Sequence, residues 1–338
     1  MRLQTLLTWS STLLAAATAS PVVAPGLDLC PNIRRGVASR TVYEFPNGSW
    51  IENIAVRANG NLLVTRLDTP ELYEIDPRNS ATAKLIHHFT GYTSLLGISE
   101  SSPDVFSVAV GNLSLTTGGR PQSFAIWTAD FKGKTEPKVS KVTDIPEALL
   151  LNGVTALDRK AGTILVSDSA LGVVFRVDTR SGTYTTALED DTFKPPANAS
   201  SPLGINGIRV VDGHMYYVNT LRPLYGRVPV DRASGKATGP YQVISTKIAA
   251  DDFAVDRKGT AHMAVGVANE IAKVRPNGKS CVVAGSPGSK LIAGATSVAF
   301  GRTREEKHIL YVSTSGAQAW PVNGTYTEGG KIVALEIH

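Results

Sequence analysis

A short phrase recurs along this chain and constrains its fold more than any other feature. Its clearest copies are Asn152-Gly153-Val154-Thr155-Ala156-Leu157-Asp158 and Asn206-Gly207-Ile208-Arg209-Val210-Val211-Asp212, a polar residue leading into a strand and a turn. Glu52-Asn53-Ile54-Ala55-Val56 and Asp251-Asp252-Phe253-Ala254-Val255-Asp256 are two more. Weaker versions stand at Leu96-Gly97-Ile98-Ser99 and Thr296-Ser297-Val298-Ala299-Phe300. The copies begin at 52, 96, 152, 206, 251 and 296, roughly 40 to 55 residues apart, which is the period of a propeller blade.

Each copy opens a four-strand plan. In the first, Asn53 to Arg57 is followed by the turn signal Asn59-Gly60, then by Leu62 to Arg66, Glu71 to Ile75 and Lys84 to Phe89. The second repeat is the most divergent, with a long loop from Gly111 to Pro121. No segment holds a helical period over ten or more residues. The reading is an all-β, six-bladed β-propeller over residues 41–338, with a seven-bladed ring as the alternative if a blade is hidden between Gly111 and Ile145. Thr41 to Phe45 precedes the first full repeat and is expected to supply the outer strand of the last blade, closing the ring and removing its open edges.

Residues 1–19 carry Arg2, an apolar run from Leu6 through Ala17 and the small-residue pattern Ala17-Thr18-Ala19, as a secretory signal peptide does. No later stretch reaches the roughly 18 to 20 apolar residues of a spanning helix. Residues 20–40, with Pro21, Pro25 and Pro31, read as an arm lying on the fold. Sequons at Asn47, Asn112, Asn198 and Asn323 fit a secretory or vesicular route. The only two cysteines, Cys30 and Cys281, are expected to form one disulfide in an oxidising compartment, the alternative being two buried thiols. Closing so long a loop stabilises by roughly 4 to 5 kcal/mol in the chain-entropy model. The net charge of +5 is spread among interleaved acids, without a basic stripe, which argues against a nucleic-acid partner.

In a propeller the innermost strands line a central tunnel, so the six first positions of the phrase, Glu52, Leu96, Asn152, Asn206, Asp251 and Thr296, ring one mouth. Two carboxylates and two amide oxygens converging there suit a hard divalent cation such as Ca²⁺ or Mg²⁺; the alternative is that they only satisfy backbone donors. This layout resembles the regucalcin and gluconolactonase type of six-bladed propeller, whose metal is held by Glu, Asn, Asn and Asp from separate blades. The resemblance implies Glu52, Asn152, Asn206 and Asp251 as metal ligands. A second ring is expected from residues ending the second strands, among them Arg66, Asp168 and Asn219, with Arg222, Tyr225 and Trp320 covering the mouth. Asp168 and Asn219 also read as turn formers and the arginines as solvated rim.

No Gly-x-Ser-x-Gly, His-Glu-x-x-His, Walker or Rossmann pattern is present. Three functions remain open. The lactonase resemblance implies metal-assisted hydrolysis with Asp251 or Asp252 as general base. The signal peptide, sequons and degenerate propeller together look like the secreted fungal hetero-Diels-Alderases of tropolone-sesquiterpenoid pathways. That resemblance implies polyketide and terpene substrates, a tropolone o-quinone methide joined to a humulene-type alkene, and no required cofactor. Arg66, Arg222 and Asp251 are the catalytic candidates by position; Asp168, Asn219, Tyr225 and Trp320 are the substrate-binding ones. The third reading is a non-catalytic binding propeller.

Overall fold

The structure is a computed structural model that describes residues 27–31, 37–79, 82–133, 136–199 and 201–337. The expected signal peptide and most of the arm lie outside the described residues. Apolar and β-branched runs punctuated by Gly, Asn and Asp turns give strands almost throughout, beginning with β1 (Ser39–Asn47). Blade one is β2 (Ile51–Val56), β3 (Leu62–Arg66), β4 (Glu71–Ile75) and β5 (Ala83–His88). Blade two is β6 (Ser94–Ser102) and β7 (Val105–Gly111), a small hairpin of β8 (Leu113–Ser114) and β9 (Gly118–Gly119), then β10 (Ala125–Asp130) and β11 (Lys138–Asp144). Blade three is β12 (Leu151–Asp158), β13 (Thr163–Asp168), β14 (Val173–Asp178) and β15 (Tyr184–Glu189). Blade four is β16 (Ile205–Val211), β17 (His214–Asn219), β18 (Leu224–Pro229) and β19 (Gln242–Ser245). Blade five is β20 (Phe253–Val255), β21 (Ala261–Val265), β22 (Glu270–Val274) and β23 (Ser280–Gly285), and blade six adds β24 (Ala295–Phe300), β25 (Ile309–Thr314) and β26 (Gly329–Glu336). Two single 3₁₀ turns, Asp191–Phe193 and Gly266–Ala268, are the helical pieces among the described residues.

The six blade sheets are four-stranded and antiparallel, and the last is completed by β1, which pairs with β26 at its outer edge. The expected closing strand is therefore in place. No seventh blade is hidden after Gly111, because that stretch folds as the small hairpin and then as the two outer strands of blade two. The hairpin presses on the loop that leads into blade three: a Cβ on Gly119 would lie 2.0 Å from the Leu149 carbonyl oxygen.

The apolar core is divided among the blade interfaces. Ile126 and Val154 meet between blades two and three, Leu165 and Met215 between three and four, and Val218 and Phe253 between four and five. Ala264 and Val312 meet between blades five and six, Val64 and Ile332 between six and one, and Leu63 and Val108 between one and two. Hydroxyls on second strands tie the same interfaces near the axis. Thr65 Oγ1 donates to the Leu96 carbonyl at 2.6 Å, Ser167 Oγ to Asn206 at 2.7 Å and Thr220 Oγ1 to Ala250 at 2.8 Å.

The arm runs along the outer edge of blade five. The Cys30 amide donates to the Val282 carbonyl at 2.9 Å, the Val282 amide donates to Asp28 at 2.8 Å, and Cys30 is disulfide-bonded to Cys281. The bond spans 251 residues of sequence, so its loss frees a long loop in the unfolded chain. Cys281→Ser, compared with the oxidised protein by denaturant unfolding, is expected to lower stability by as much as about 5 kcal/mol in the chain-entropy model.

Candidate functional site

The ring has two unlike faces. On the upper face the inner strands begin and the second strands end; on the lower face inner and second strands are joined by tight hairpins. The first positions of the repeated phrase stand at the upper mouth. Glu52, Leu96, Asn152, Asn206 and Thr296 are buried and Asp251 is half-buried. The Trp50 indole N–H donates to Glu52 Oε2 at 2.7 Å, and Asn206 Nδ2 donates to Asp251 Oδ1 at 2.5 Å and to Thr220 Oγ1 at 3.1 Å. Burial pushes the Glu52 carboxyl up to about 7 against the pull of the Trp50 bond, and the charge of Asp252 adds to the rise. Asp251 is raised well above the ordinary range, chiefly by burial and then by the negative charges of Glu52 and Asp252. Burial and neighbouring negative charge both disfavour ionisation of this pair, so the mouth binds protons more tightly than free carboxylates do.

The same donor set fits a hard cation. Its oxygens come from carboxylates and amides, and the mutual repulsion of Glu52 and Asp251 is what a divalent charge would relieve. Without such a charge the pH dependence has a definite sign. Both acids titrate higher in the folded protein than unfolded, and for Glu52 the stability from the protonated form is complete below about 4.5 and is lost as pH rises through about 7. The melting temperature is expected to fall between pH 5 and 8 by on the order of 5 °C, and to fall less in Glu52→Gln. Thermal unfolding of both proteins in chelator checks this.

One step deeper, the second positions of the phrase divide into two kinds. Gly97, Gly153 and Gly207 lie on three consecutive blades, and Asp252, Ser297 and Asn53 on the other three. A Cβ would lie 2.2 Å from the Asn152 carbonyl oxygen at Gly97 and 2.5 Å from that of Asn206 at Gly153. At Gly207 it would lie 2.1 Å from Asp252 Oδ1, so this glycine vacates the space that the carboxylate fills. Asp252 Oδ2 accepts from Asn53 Nδ2 at 3.0 Å, Ser297 Oγ at 2.7 Å and Arg209 Nη2 at 2.6 Å, joining four blades at one atom. Sequence reasoning gave Asp252 only a general-base role and missed this network. The signal was there in the alternation of glycine and polar residues at one repeat position. Asp252→Ala leaves the largely buried Arg209 charge unpaired and is expected to cost about 3 kcal/mol or more in denaturant unfolding. Much of that loss should return in Asp252→Leu/Arg209→Met.

The other expected site residues are spread more widely. Arg66 does end its strand at the upper face, but its guanidinium is forked onto Asp68 and lies 4.6 Å from the centre of the Phe45 ring. Asp168 is fully buried and accepts from the Leu149, Leu150, Ala170 and Leu171 amides; Asn219 donates to the Thr192 and Lys194 carbonyls and accepts from the Arg222 amide. Both shape turns beside the mouth. Arg222 donates from its side chain to the Asp191 carbonyl at 2.7 Å. Tyr225, expected over the mouth, lies instead in the core between blades four and five against Tyr216 and Phe253, because its strand turns that face inward. Trp320 is exposed on the loop joining β25 to β26, on the upper face. The sequon residues also belong to this face: Asn47, Asn198 and Asn323 are exposed and Asn112 is half-buried.

At the opposite end, the lower mouth opens into an axial cavity of about 500 Å³ walled by the ends of all six inner strands. A neighbouring cavity of about 330 Å³ lies by the first two hairpins.

The architecture and its central tunnel define a six-bladed β-propeller. A luciferin-regenerating enzyme superposes with a TM-score of 0.63 at 14% identity, covering 89% of this chain and 95% of that one. Regucalcin from Agrobacterium tumefaciens gives 0.59 at 15% identity, covering 90% and 96%. A gluconolactonase from Xanthomonas campestris gives 0.57 at 13% identity, covering 93% and 95%. At such identities the likeness is one of fold. No family model matches the chain. Sequence relatives narrow the assignment: the chain is 30% identical over 304 residues to a Phoma sp protein named as a hetero-Diels-Alderase, covering 81% of this chain and 86% of that one. It is also 30% identical over 313 residues to the Sarocladium schorii protein named hetero-Diels-Alderase asR5, covering 81% and 77%. The chain belongs to the hetero-Diels-Alderase family.

Proposed function

We propose that this protein is a pericyclase that joins a tropolone o-quinone methide to a humulene-type alkene, forming a dihydropyran. Identity of 30% across 81% of the chain to proteins named for hetero-Diels-Alder chemistry carries the reading. The upper mouth supplies chemistry that such a reaction needs. Proton transfer to the hydroxyl of a hydroxymethyl tropolone, with loss of the tropolone O–H proton, expels one water and leaves the heterodiene. The heterodiene then closes on the alkene through one new C–C and one new C–O bond, with no further atom lost.

Asp251 is assigned the proton-donating role, with Glu52 as the second acid of the pair, because burial and neighbouring negative charge raise both above the ordinary carboxylate range. Holding the diene and alkene in register contributes up to roughly 7 to 11 kcal/mol in favourable cases. Arg66, already paired with Asp68, is assigned a positioning role, and Arg222 and Trp320 flank the approach on the same face.

The convergence of Glu52 and Asp251, with Asn152 and Asn206 at the same level, favours a second reading, a metal-dependent lactonase. These four residues would hold the cation, whose chemistry is to polarise a lactone carbonyl and acidify water. Product formation from a hydroxymethyl tropolone plus humulenol, run beside a lactone panel with added Ca²⁺ and with chelator, separates the two. The cycloadduct is expected to form in chelator, and Asp251→Asn to slow it by about a hundredfold or more. Lactone opening that needs the metal and disappears in Asp251→Ala would instead establish the hydrolase, and inactivity in both assays would leave a binding propeller.

A further inference from the structure

The lower cavity has a composition unlike the upper mouth. Its walls are the apolar ends of the inner strands, such as Val56, Leu157 and Phe300. Its charged lining is four arginines, Arg159, Arg209, Arg232 and Arg302, against one carboxylate, Glu100. Glu100 is shared, accepting a hydrogen bond from Arg302 at 3.0 Å and forming an ion pair with Arg159 at 3.2 Å. Arg209 is held by Asp252 at 2.6 Å and Arg232 by Asp158 at 2.9 Å, both carboxylates lying outside the lining. Four guanidinium groups thus meet three carboxylates, a surplus of one positive charge at a chamber whose lining mixes aliphatic and polar groups.

The ion pairs also leave donors over. A guanidinium has five N–H groups in a planar fork. The contacts within the described residues engage Arg159 through Glu100 alone, and Arg302 through Glu100 and the Val56 carbonyl. These two side chains are 56% and 35% exposed, open to a ligand rather than sealed in. A volume of about 500 Å³ falls within the roughly 300–1,000 Å³ range of small-molecule pockets. Glycans on the four sequons would stand on the upper face and leave this mouth clear.

We infer that the lower mouth is a second binding site, for an apolar, planar monoanion whose charged oxygens are held by Arg159 and Arg302. The aliphatic walls take up the ligand body while the guanidinium fork takes up paired anionic oxygens of a carboxylate or sulfonate. The site is separate from the acid pair at the upper mouth and does not depend on which reaction the protein performs.

The test is fluorescence titration of the full chain with 8-anilinonaphthalene-1-sulfonate, beside the uncharged N-phenyl-1-naphthylamine. Saturable one-site binding of the anionic probe is expected, weakened about tenfold in Arg302→Ala and in Arg159→Ala, and weakened further in the double variant. Arg302→Lys should retain part of the affinity, and the neutral probe should bind about equally to all of these. Val255→Trp, which fills the cavity, should abolish binding of both probes, while Asp251→Asn should change neither. Melting curves identify any variant that has lost its fold, and Arg159, the more exposed of the pair, then serves as the deciding position. Anion affinity unchanged in Arg159→Ala, or probe binding that survives Val255→Trp, would overturn the inference.

Discussion

Six strands crowding one axis is the constraint on which the rest of the molecule depends, and a single carboxylate resolves it. Asp252 brings together Asn53, Ser297 and Arg209 on one oxygen, linking blades that the sequence separates by as many as 199 residues. It does so because Gly207 on the facing strand has no side chain to occupy that space. On the remaining strands the absence of a Cβ at Gly97 and Gly153 lets backbone approach backbone. A charge buried at the axis is tolerable only with such a complete set of donors. The blades can therefore wedge apolar residues between one another without leaving an empty channel.

This plug separates two chemically opposed mouths. Above it, Glu52 and Asp251 are near each other and short of compensating charge, so both bind protons more tightly than free carboxylates. Below it, Arg209 points from the same network into a chamber whose charged lining residues are mostly arginines. The asymmetry follows from the repeat. First positions of the phrase collect acids and amides at the beginnings of the strands, whereas the hairpins and third-strand ends collect arginines at the opposite rim. Family membership bears on the reaction, and the structure adds where protons and positive charge are available to it.

Much of this was legible in the residues. The period of the phrase pointed to six blades with a seventh left open, which the pairing of β10 and β11 into blade two removes, and the β-branched run around Thr41 to Phe45 identified the closing strand, because an unpaired edge strand needs a partner. The first positions of the phrase were correctly located at one mouth. Tyr225 was misread because an alternating strand does not reveal which of its faces meets the neighbouring blade, and its ring went into the core with Phe253. Asp168 and Asn219 were open to two readings; their bonds to loop amides and carbonyls show them shaping turns, a role set by chain geometry that no residue type declares. No sequence signal marks the arginine-lined chamber, because Arg159, Arg209, Arg232 and Arg302 belong to three different blades and share no motif.

The sequence alone determined the architecture, since repeat length, strand pattern and turn residues are local properties that each blade expresses almost independently. It also determined which residue types would face the axis at the upper mouth. Tertiary structure alone decided what those residues do to one another. Burial and proximity raise Glu52 and Asp251, and the convergence of four blades makes Asp252 a structural centre. Proton affinity, charge pairing and cavity shape arise from distances between residues far apart in the chain, and closing the ring is what sets those distances.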